Sequence, residues 1–195
     1  MNSEKTIYKA MYNRVKDEQE LRWHREEIPP ILEKAAKISN GYALDIGCGT
    51  GVQAVFMAEN GYSVTAVDFI PKALEFARKR AKDANVNISF QEDDITLWKT
   101  DQKFDLIFDS GCLHSLPQKN LSIYKSNLLD WLKPNGNYIL LHFGKHSALS
   151  FSLVGPKLRS KKKIEQLFNP KLMLKEFSTQ IRGKRVLFQY WFVAR

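Results

Sequence analysis

Hydrophobic residues recur along the chain in short runs that alternate between two spacings. Compact apolar runs predict strands, and apolar positions three and four residues apart predict helices. The predicted strands of the central part are residues 42–46, 64–67, 87–91, 104–108 and 138–143, and the helices are 52–60, 71–84 and 121–132. Strands that alternate with helices predict a parallel sheet covered on both faces.

The two ends of the chain depart from this alternation. Residues 4–38 are predicted to be helical in two pieces that break at Pro29-Pro30, and 161–168 to form a short helix. The apolar segments 172–180 and 186–194 are joined by a short connection that contains Gly183, which predicts an antiparallel hairpin. The predicted fold class is therefore α/β, with seven strands, mostly parallel, and an antiparallel last strand.

Composition favours one ordinary globular domain spanning residues 1–195. Hydrophobic residues make up 44% of the chain and charged residues 26%, and no apolar run approaches the roughly 18 residues of a membrane helix. The charged N-terminus has no apolar signal region, and two cysteines are too few for a disulfide framework. We therefore expect a cytoplasmic protein with no transmembrane segment.

The positive charge is concentrated at the C-terminal end. The net charge is +9, and the last 45 residues carry 11 Lys and Arg against Glu165 and Glu176, so the whole excess lies there. Such a region is either a binding surface for an anionic partner such as RNA or a solvated surface that aids solubility.

The stretch "ALDIGCGTG", residues 43–51, places three glycines between a predicted strand and a predicted helix. A dinucleotide-binding fingerprint would need glycine where Val52 stands, and a phosphate-binding P-loop would need Lys and Ser or Thr after Gly51. Both phosphate-binding interpretations therefore fail on residues that their chemistry requires.

"LDIGCGTG" resembles the cofactor loop of class I S-adenosylmethionine-dependent methyltransferases, and the final antiparallel hairpin is also typical of their Rossmann-like fold. The physics agrees, because glycines let the backbone approach a ligand and a helix N-terminus attracts the cofactor's carboxylate. The resemblance implies S-adenosyl-L-methionine as cofactor. The implied cofactor-binding residues are Trp23, Asp45, Gly47, Cys48, Gly49, Gly51, Asp68, Phe69, Asp94, Ile95 and Ser110.

The carboxylates and rings in this set have distinct implied roles. Asp45 attracts the cofactor ammonium, directly or through water, and Asp68 accepts the ribose hydroxyls. Phe69 lies against the adenine face. Asp94 accepts the adenine amine, with Ile95 against the ring, although after a one-residue shift Asp93 or Glu92 would serve as the acceptor instead.

The acceptor side is marked by "FDSGCLH", residues 108–114, which resembles small-molecule methyltransferases of the thiopurine and tellurite-resistance group. Leu113 departs from that group's aromatic residue. By this resemblance Ser110 and Gly111 pass closest to the cofactor and His114 faces the acceptor, either as a general base or as a packed, neutral side chain. Trp23 either borders the cofactor sulfonium or anchors the N-terminal segment.

The resemblance divides the domain into an N-terminal helical lid (1–40), a cofactor-binding core (42–143) and an acceptor-side loop, helix and hairpin (144–195). The long connection after 143 supplies pocket candidates and a Gly-Pro pair typical of small-molecule enzymes, and His142 with His146 does not meet a metal-ligand pattern, so no metal is predicted. These candidates are Ser147, Ser150, Phe151, Ser152, Gly155 and Pro156.

The predicted function is transfer of a methyl group to a hydroxyl or thiol of a small molecule. Two alternatives remain open: an RNA methyltransferase that uses the basic C-terminal region, and a protein that binds S-adenosylmethionine without catalysis. RNA is not favoured, because no appended RNA-binding module is visible. The sequence does not indicate an oligomeric state.

Overall fold

The computed structural model describes residues 3–38, 40–144, 157–183 and 185–195. Its α-helices are α1 (Ser3–Arg14), α2 (Pro30–Ala36), α3 (Val52–Glu59), α4 (Pro71–Asp83), α5 (Cys112–Ser115), α6 (Leu121–Trp131) and α7 (Lys161–Phe168). Its strands are β1 (Gly41–Ile46), β2 (Tyr62–Asp68), β3 (Ile88–Glu92), β4 (Phe104–Ser110), β5 (Leu132–Gly144), β6 (Leu172–Arg182) and β7 (Arg185–Ala194). Short 3-10 turns lie at Glu18–Glu20 and Gln118–Asn120.

The strands form one seven-stranded sheet in the order β3-β2-β1-β4-β5-β7-β6. Neighbouring strands are parallel in the pairs β1–β2, β2–β3 and β4–β5, whereas β7 is antiparallel to both β5 and β6. The predicted fold class, a mostly parallel sheet with helices on both faces and an antiparallel last strand, is confirmed.

The chain divides into two compact units, residues 1–98 and 99–195, which are described one at a time. The single domain over 1–195 and its three functional segments stay a prediction. Among the residues that the structure describes, no helix is both long and apolar enough to cross a membrane.

The first unit contains β1 to β3 and α1 to α4, and its N-terminal segment corrects the sequence prediction. The first helix ends at Arg14, well before the predicted break at Pro29-Pro30. The reason is local, because Asp17 caps a 3-10 turn by accepting the backbone N–H of Gln19 and redirects the chain. Beyond this turn Leu21 packs with Tyr12 against the start of α4.

The second unit contains β4 to β7 and α5 to α7. Its strand β5 begins directly after α6, at Leu132, and includes a turn at 134–136, ahead of the strand predicted over 138–143. Phe104 is in register with Leu132 and Leu106 with Asn137, so the turn is accommodated as a bulge inside the strand. Asn135 takes a left-handed conformation there (φ 60°), which Asn tolerates better than most residues.

Candidate active site

The glycine loop of the first unit follows β1 and begins α3. Gly49 (φ +54°) and Gly51 (φ +79°) take left-handed backbone conformations. A Cβ atom on Gly51 would lie 2.8 Å from the Cβ of Ala77 on α4, and one on Gly49 would lie 3.1 Å from Tyr12 Oη. The loop therefore needs glycine for its conformation and for the close approach of its neighbours.

Asp68 joins this loop to the end of β2. Its Oδ2 accepts the Gly49 N–H at 2.9 Å and its Oδ1 accepts the Ile70 N–H at 2.9 Å. Burial raises the pKa of Asp68 to about 6, and the backbone N–H groups partly offset that rise. Each carboxylate oxygen keeps lone-pair capacity, so the side chain that fixes the loop is still able to accept ligand hydroxyls.

Asp45 and Cys48 are both buried on either side of Gly47. Asp45 lies on β1 in register with Ala66 and is only 2% exposed. Burial, followed by the charges of Asp68 and Asp45, raises the pKa of the Cys48 thiol well above its ordinary value. Cys48 is therefore a buried, protonated thiol, which is unsuited to act as a nucleophile.

Asp94 and Phe69 are connected by Lys5, a residue that the sequence analysis missed. The Lys5 ammonium donates to Asp94 Oδ2 and lies 5.2 Å from the centroid of the Phe69 ring. Asp94 Oδ1 accepts the backbone N–H and the hydroxyl of Thr96 at 3.0 and 2.9 Å. Burial raises the pKa of Asp94, but the hydrogen bonds from Lys5 and Thr96 outweigh it and the net shift is downward. Helix α1 thus covers the two groups predicted to contact adenine. Ile95, beside Asp94, is buried.

Trp23 packs among the aromatic residues of α1. Its Nε1 donates to Tyr12 Oη at 3.3 Å, and its ring makes edge contacts with Tyr8 and Tyr12 at centroid distances of 5.5 and 5.6 Å. Trp23 is 37% exposed, whereas Tyr12 is buried. This contact agrees with an anchor for the N-terminal segment, and the role of Trp23 beside a cofactor stays a prediction.

His24 contacts the glycine loop at Thr50. Its Nδ1 lies 3.0 Å from Thr50 Oγ1, and Arg80 Nε donates to the Thr50 carbonyl at 3.2 Å. Ligand atoms of Glu18, His24 and Glu26 lie within 4.8 Å of one another. Both carboxylates also pair with the Arg80 guanidinium, which already supplies the positive charge that a cation would bring.

In the second unit, Ser110 is exposed and is the last residue of β4. The residue before it, Asp109, accepts several hydrogen bonds. Asp109 is fully buried and accepts the N–H groups of Cys112 and Leu113 and the Tyr124 hydroxyl at 2.8, 3.0 and 2.5 Å. Burial raises its pKa to about 6 against these hydrogen bonds. Asp109 therefore fixes the start of α5, and its position directly after the apolar run 106–108 of β4 was the available sequence signal.

His114, the predicted catalytic residue, lies on α5 with 7% of its surface exposed. Its ring centroid is 5.5 Å from that of His142 and 5.2 Å from that of Phe143. Burial lowers the pKa of His114 well below its ordinary value, with smaller effects from His142, Arg159 and Arg185. Its Nδ1 is buried and has no hydrogen-bond partner among the described residues.

Some acceptor-side predictions lie outside the described residues, in the segment 145–156. They concern His146 and the pocket candidates Ser147, Ser150, Phe151, Ser152, Gly155 and Pro156.

Comparison with known proteins adds to this geometry. Residues 43–136, just under half of the chain, match a family model described as a methyltransferase domain. The match confirms the resemblance of the chain to S-adenosylmethionine-dependent methyltransferases. The chain's resemblance to the thiopurine and tellurite-resistance group is likewise confirmed.

Two relatives and one solved structure illustrate this placement. The chain is 30% identical over 143 residues to a 2-heptyl-1-hydroxyquinolin-4(1H)-one methyltransferase of Mycobacteroides abscessus, covering 72% of this chain and 62% of that protein. It is 28% identical over 148 residues to a thiopurine S-methyltransferase of Legionella pneumophila, covering 66% and 67%. TehB of Haemophilus influenzae superposes with a TM-score of 0.78 at 18% identity, covering 89% and 64%. The chain thus spans less than two thirds of the mycobacterial relative.

Proposed function

We propose that this chain transfers a methyl group from S-adenosylmethionine to a hydroxyl or thiol group of a small molecule. The observation that carries the proposal is the glycine loop bonded to Asp68. At Gly49 and Gly51 a side chain would meet neighbouring atoms, and the Gly49 N–H is held on the carboxylate at 2.9 Å. This cradle suits a ligand that needs close backbone contact and offers hydroxyls to an acid.

The donors and acceptors of the first unit fit this cofactor better than a nucleotide phosphate. Three carboxylates, on Asp45, Asp68 and Asp94, match in number and chemistry an ammonium, two ribose hydroxyls and an adenine amine, provided that Lys5 leaves Asp94. When bound, S-adenosylmethionine supplies an electrophilic methyl group on a sulfonium. The protein's task is to hold the reactants in line, which supplies much of the acceleration.

His114 is the residue we assign to the acceptor in this proposal. Its lowered pKa keeps the imidazole neutral near pH 7, so that it is able to accept a proton. The same lowered pKa makes it a weak base, which is poorly matched to an alcohol of high pKa. Acceptors that ionise readily, such as a thiol, an N-hydroxy group or an acidic phenol, are therefore favoured. The names of the mycobacterial and Legionella relatives, an N-hydroxyquinolone and a thiopurine enzyme, support this class.

The basic C-terminal region gives RNA little support as the acceptor. Several of its cations lie over aromatic rings of the same unit: Lys161 over Phe177 at 4.9 Å, Lys175 over Trp191 at 3.9 Å and Arg185 over Phe143 at 5.3 Å. Lys161 also pairs with Glu165. Such contacts give part of the positive charge an intramolecular role.

Calorimetry with S-adenosylmethionine and S-adenosylhomocysteine tests the cofactor assignment. We expect micromolar, salt-tolerant binding that Gly49→Val weakens at least 100-fold, because the side chain fills the loop. Gly61→Val is the matched control, since Gly61 also has a positive φ (+87°) but nothing lies within 4 Å of its Cβ position. Unchanged affinity in Gly49→Val would overturn the proposed site. A following screen of thiols and phenols for methyl transfer tests the acceptor class.

A further inference from the structure

Arg159 is a half-buried cation of the second unit that has no counter-ion among the described residues. Its Nη1 donates to His142 Nε2 at 3.1 Å and lies 3.4 Å from the Leu113 carbonyl oxygen. No carboxylate within the described part of the chain pairs with it, and its Nε and Nη2 donate to none of the described residues. A guanidinium that is partly removed from water without an anion loses hydration, which an anionic ligand would replace.

The partner that Arg159 does have is a neutral imidazole. His142 is fully buried, and its Nδ1 lies 2.8 Å from the Phe143 carbonyl oxygen, to which it must donate. Its Nε2 then carries the lone pair that accepts the Arg159 N–H. His142 thus orients the guanidinium and contributes no negative charge.

The surroundings are also positive or neutral. The His114 ring contacts the rings of His142 and Phe143. The guanidinium of Arg185 lies 5.3 Å from the centroid of the Phe143 ring. The buried Nδ1 of His114, which no described residue satisfies, is a second polar atom in the same cluster. Two independent observations, an arginine without an anion and a buried nitrogen without a partner, therefore coincide.

We propose that Arg159 is the anion-binding residue of the acceptor site and that the acceptor carries a carboxylate close to the group that is methylated. The planar fork of Nε and Nη2, which donate to no described residue, matches the two oxygens of a carboxylate. This assignment rests on the proposed function, because it places the acceptor in the cluster of His114, His142 and Arg159. It makes Arg159 a specificity-determining residue for acidic small molecules.

The test compares 3-mercaptobenzoate with 3-mercaptobenzamide, which has nearly the same shape and no charge. Calorimetry on the full chain, with saturating S-adenosylhomocysteine, measures both affinities. We expect the carboxylate to bind at least 10-fold more tightly than the amide in the wild-type protein. We expect the ratio to fall to about 1 in Arg159→Gln and to remain near 3 in Arg159→Lys, which keeps the charge but not the fork. Lys162→Gln, at an exposed position of α7, controls for general loss of positive charge.

A second measurement does not depend on the folding of a variant. In the wild-type protein, nitrogen NMR signals of the histidine rings should shift on addition of the carboxylate and not of the amide. Equal binding of the two probes, binding of neither, or a preference that survives Arg159→Gln would overturn the inference.

The two proposals fail in different ways. The wild-type protein could fail to bind S-adenosylhomocysteine and still bind 3-mercaptobenzoate more tightly than 3-mercaptobenzamide in its absence. That result would overturn the proposed function and support the anion site. Normal S-adenosylhomocysteine binding without any preference would overturn the anion site alone.

Discussion

The two units differ in how they pair one partly buried arginine each, Arg80 in the first unit and Arg159 in the second. In the first unit, each charged group near the glycine loop has an internal partner: Asp68 accepts two backbone N–H groups, Asp94 pairs with Lys5, and Arg80 pairs with Glu18 and Glu26. In the second unit, Arg159 meets only a neutral imidazole and a carbonyl oxygen among the described residues. A paired network rigidifies a binding loop, whereas a partly buried cation without an internal anion keeps its charge for an anionic ligand.

The rigid loop of the first unit should be the most sensitive to substitution. Gly51→Ala should lower the free energy of unfolding by about 3 kcal/mol, because the left-handed conformation and the 2.8 Å approach to Ala77 both oppose a side chain. Gly61→Ala meets open space and should cost only about 1 kcal/mol. Urea denaturation measures both values, and equal costs would show that packing against α4 is unimportant.

The histidines of the second unit should respond to pH. Burial, and then Arg159, lower the pKa of His142 to about 4 from its ordinary 6.5. As the pH falls, the unfolded chain therefore binds this proton before the folded chain does. The free energy of unfolding is at its full value above pH 6.5 and decreases as the pH falls towards 4. Position 142 does not titrate in His142→Gln. Relative to that variant, the free energy of unfolding of the wild-type protein should decrease by up to about 3 kcal/mol between pH 6.5 and pH 4. Parallel stability curves for the two proteins would contradict this.

The buried acid of the second unit depends on its hydroxyl donor. Tyr124→Phe removes the 2.5 Å hydrogen bond to Asp109 and the 3.0 Å contact with Tyr138 Oη. The expected cost is about 2 kcal/mol, since one donor to a buried carboxylate is lost. Tyr42→Phe, at an exposed tyrosine, is the control. Thermal denaturation near pH 7 measures the stability of both variants, and a Tyr124→Phe variant as stable as Tyr42→Phe would contradict the prediction.

The smallest effect concerns the pairing of Lys5 in the first unit. If adenine uses Asp94 and Phe69, Lys5 has to leave both, so Lys5→Met should tighten S-adenosylhomocysteine binding. A partly exposed pair is worth about 0.2–1 kcal/mol, which corresponds to a gain of at most about 5-fold. Lys9→Met, at an exposed position one turn further along the same helix, should leave the affinity unchanged. Weaker binding in Lys5→Met would instead make Lys5 part of the cofactor site.

These experiments separate features that the sequence made predictable from those that it did not. The alternating strands and helices, the antiparallel hairpin and the strained glycine loop follow from periodicity and spacing over a few residues. The predicted acids were also recognisable from local sequence, because Asp45 and Asp68 each lie at the end of an apolar strand. Their ligand roles, like those of Trp23 and Ser110, remain predictions.

Other features depend on residues far apart in the chain. The pairing of Lys5 with Asp94 spans 89 positions and the contact of Arg159 with His142 spans 17, and no local pattern encodes either. The early end of α1 and the bulge in β5 were missed because a capping side chain and strand register override helical spacing and turn residues.

By itself, the sequence determined the order and type of most elements and the backbone chemistry of the cofactor loop, since both depend on short-range sterics and hydrophobic period. Only the tertiary structure decided which charges are neutralised. That outcome depends on side chains brought together by packing, where burial makes each missing partner energetically important.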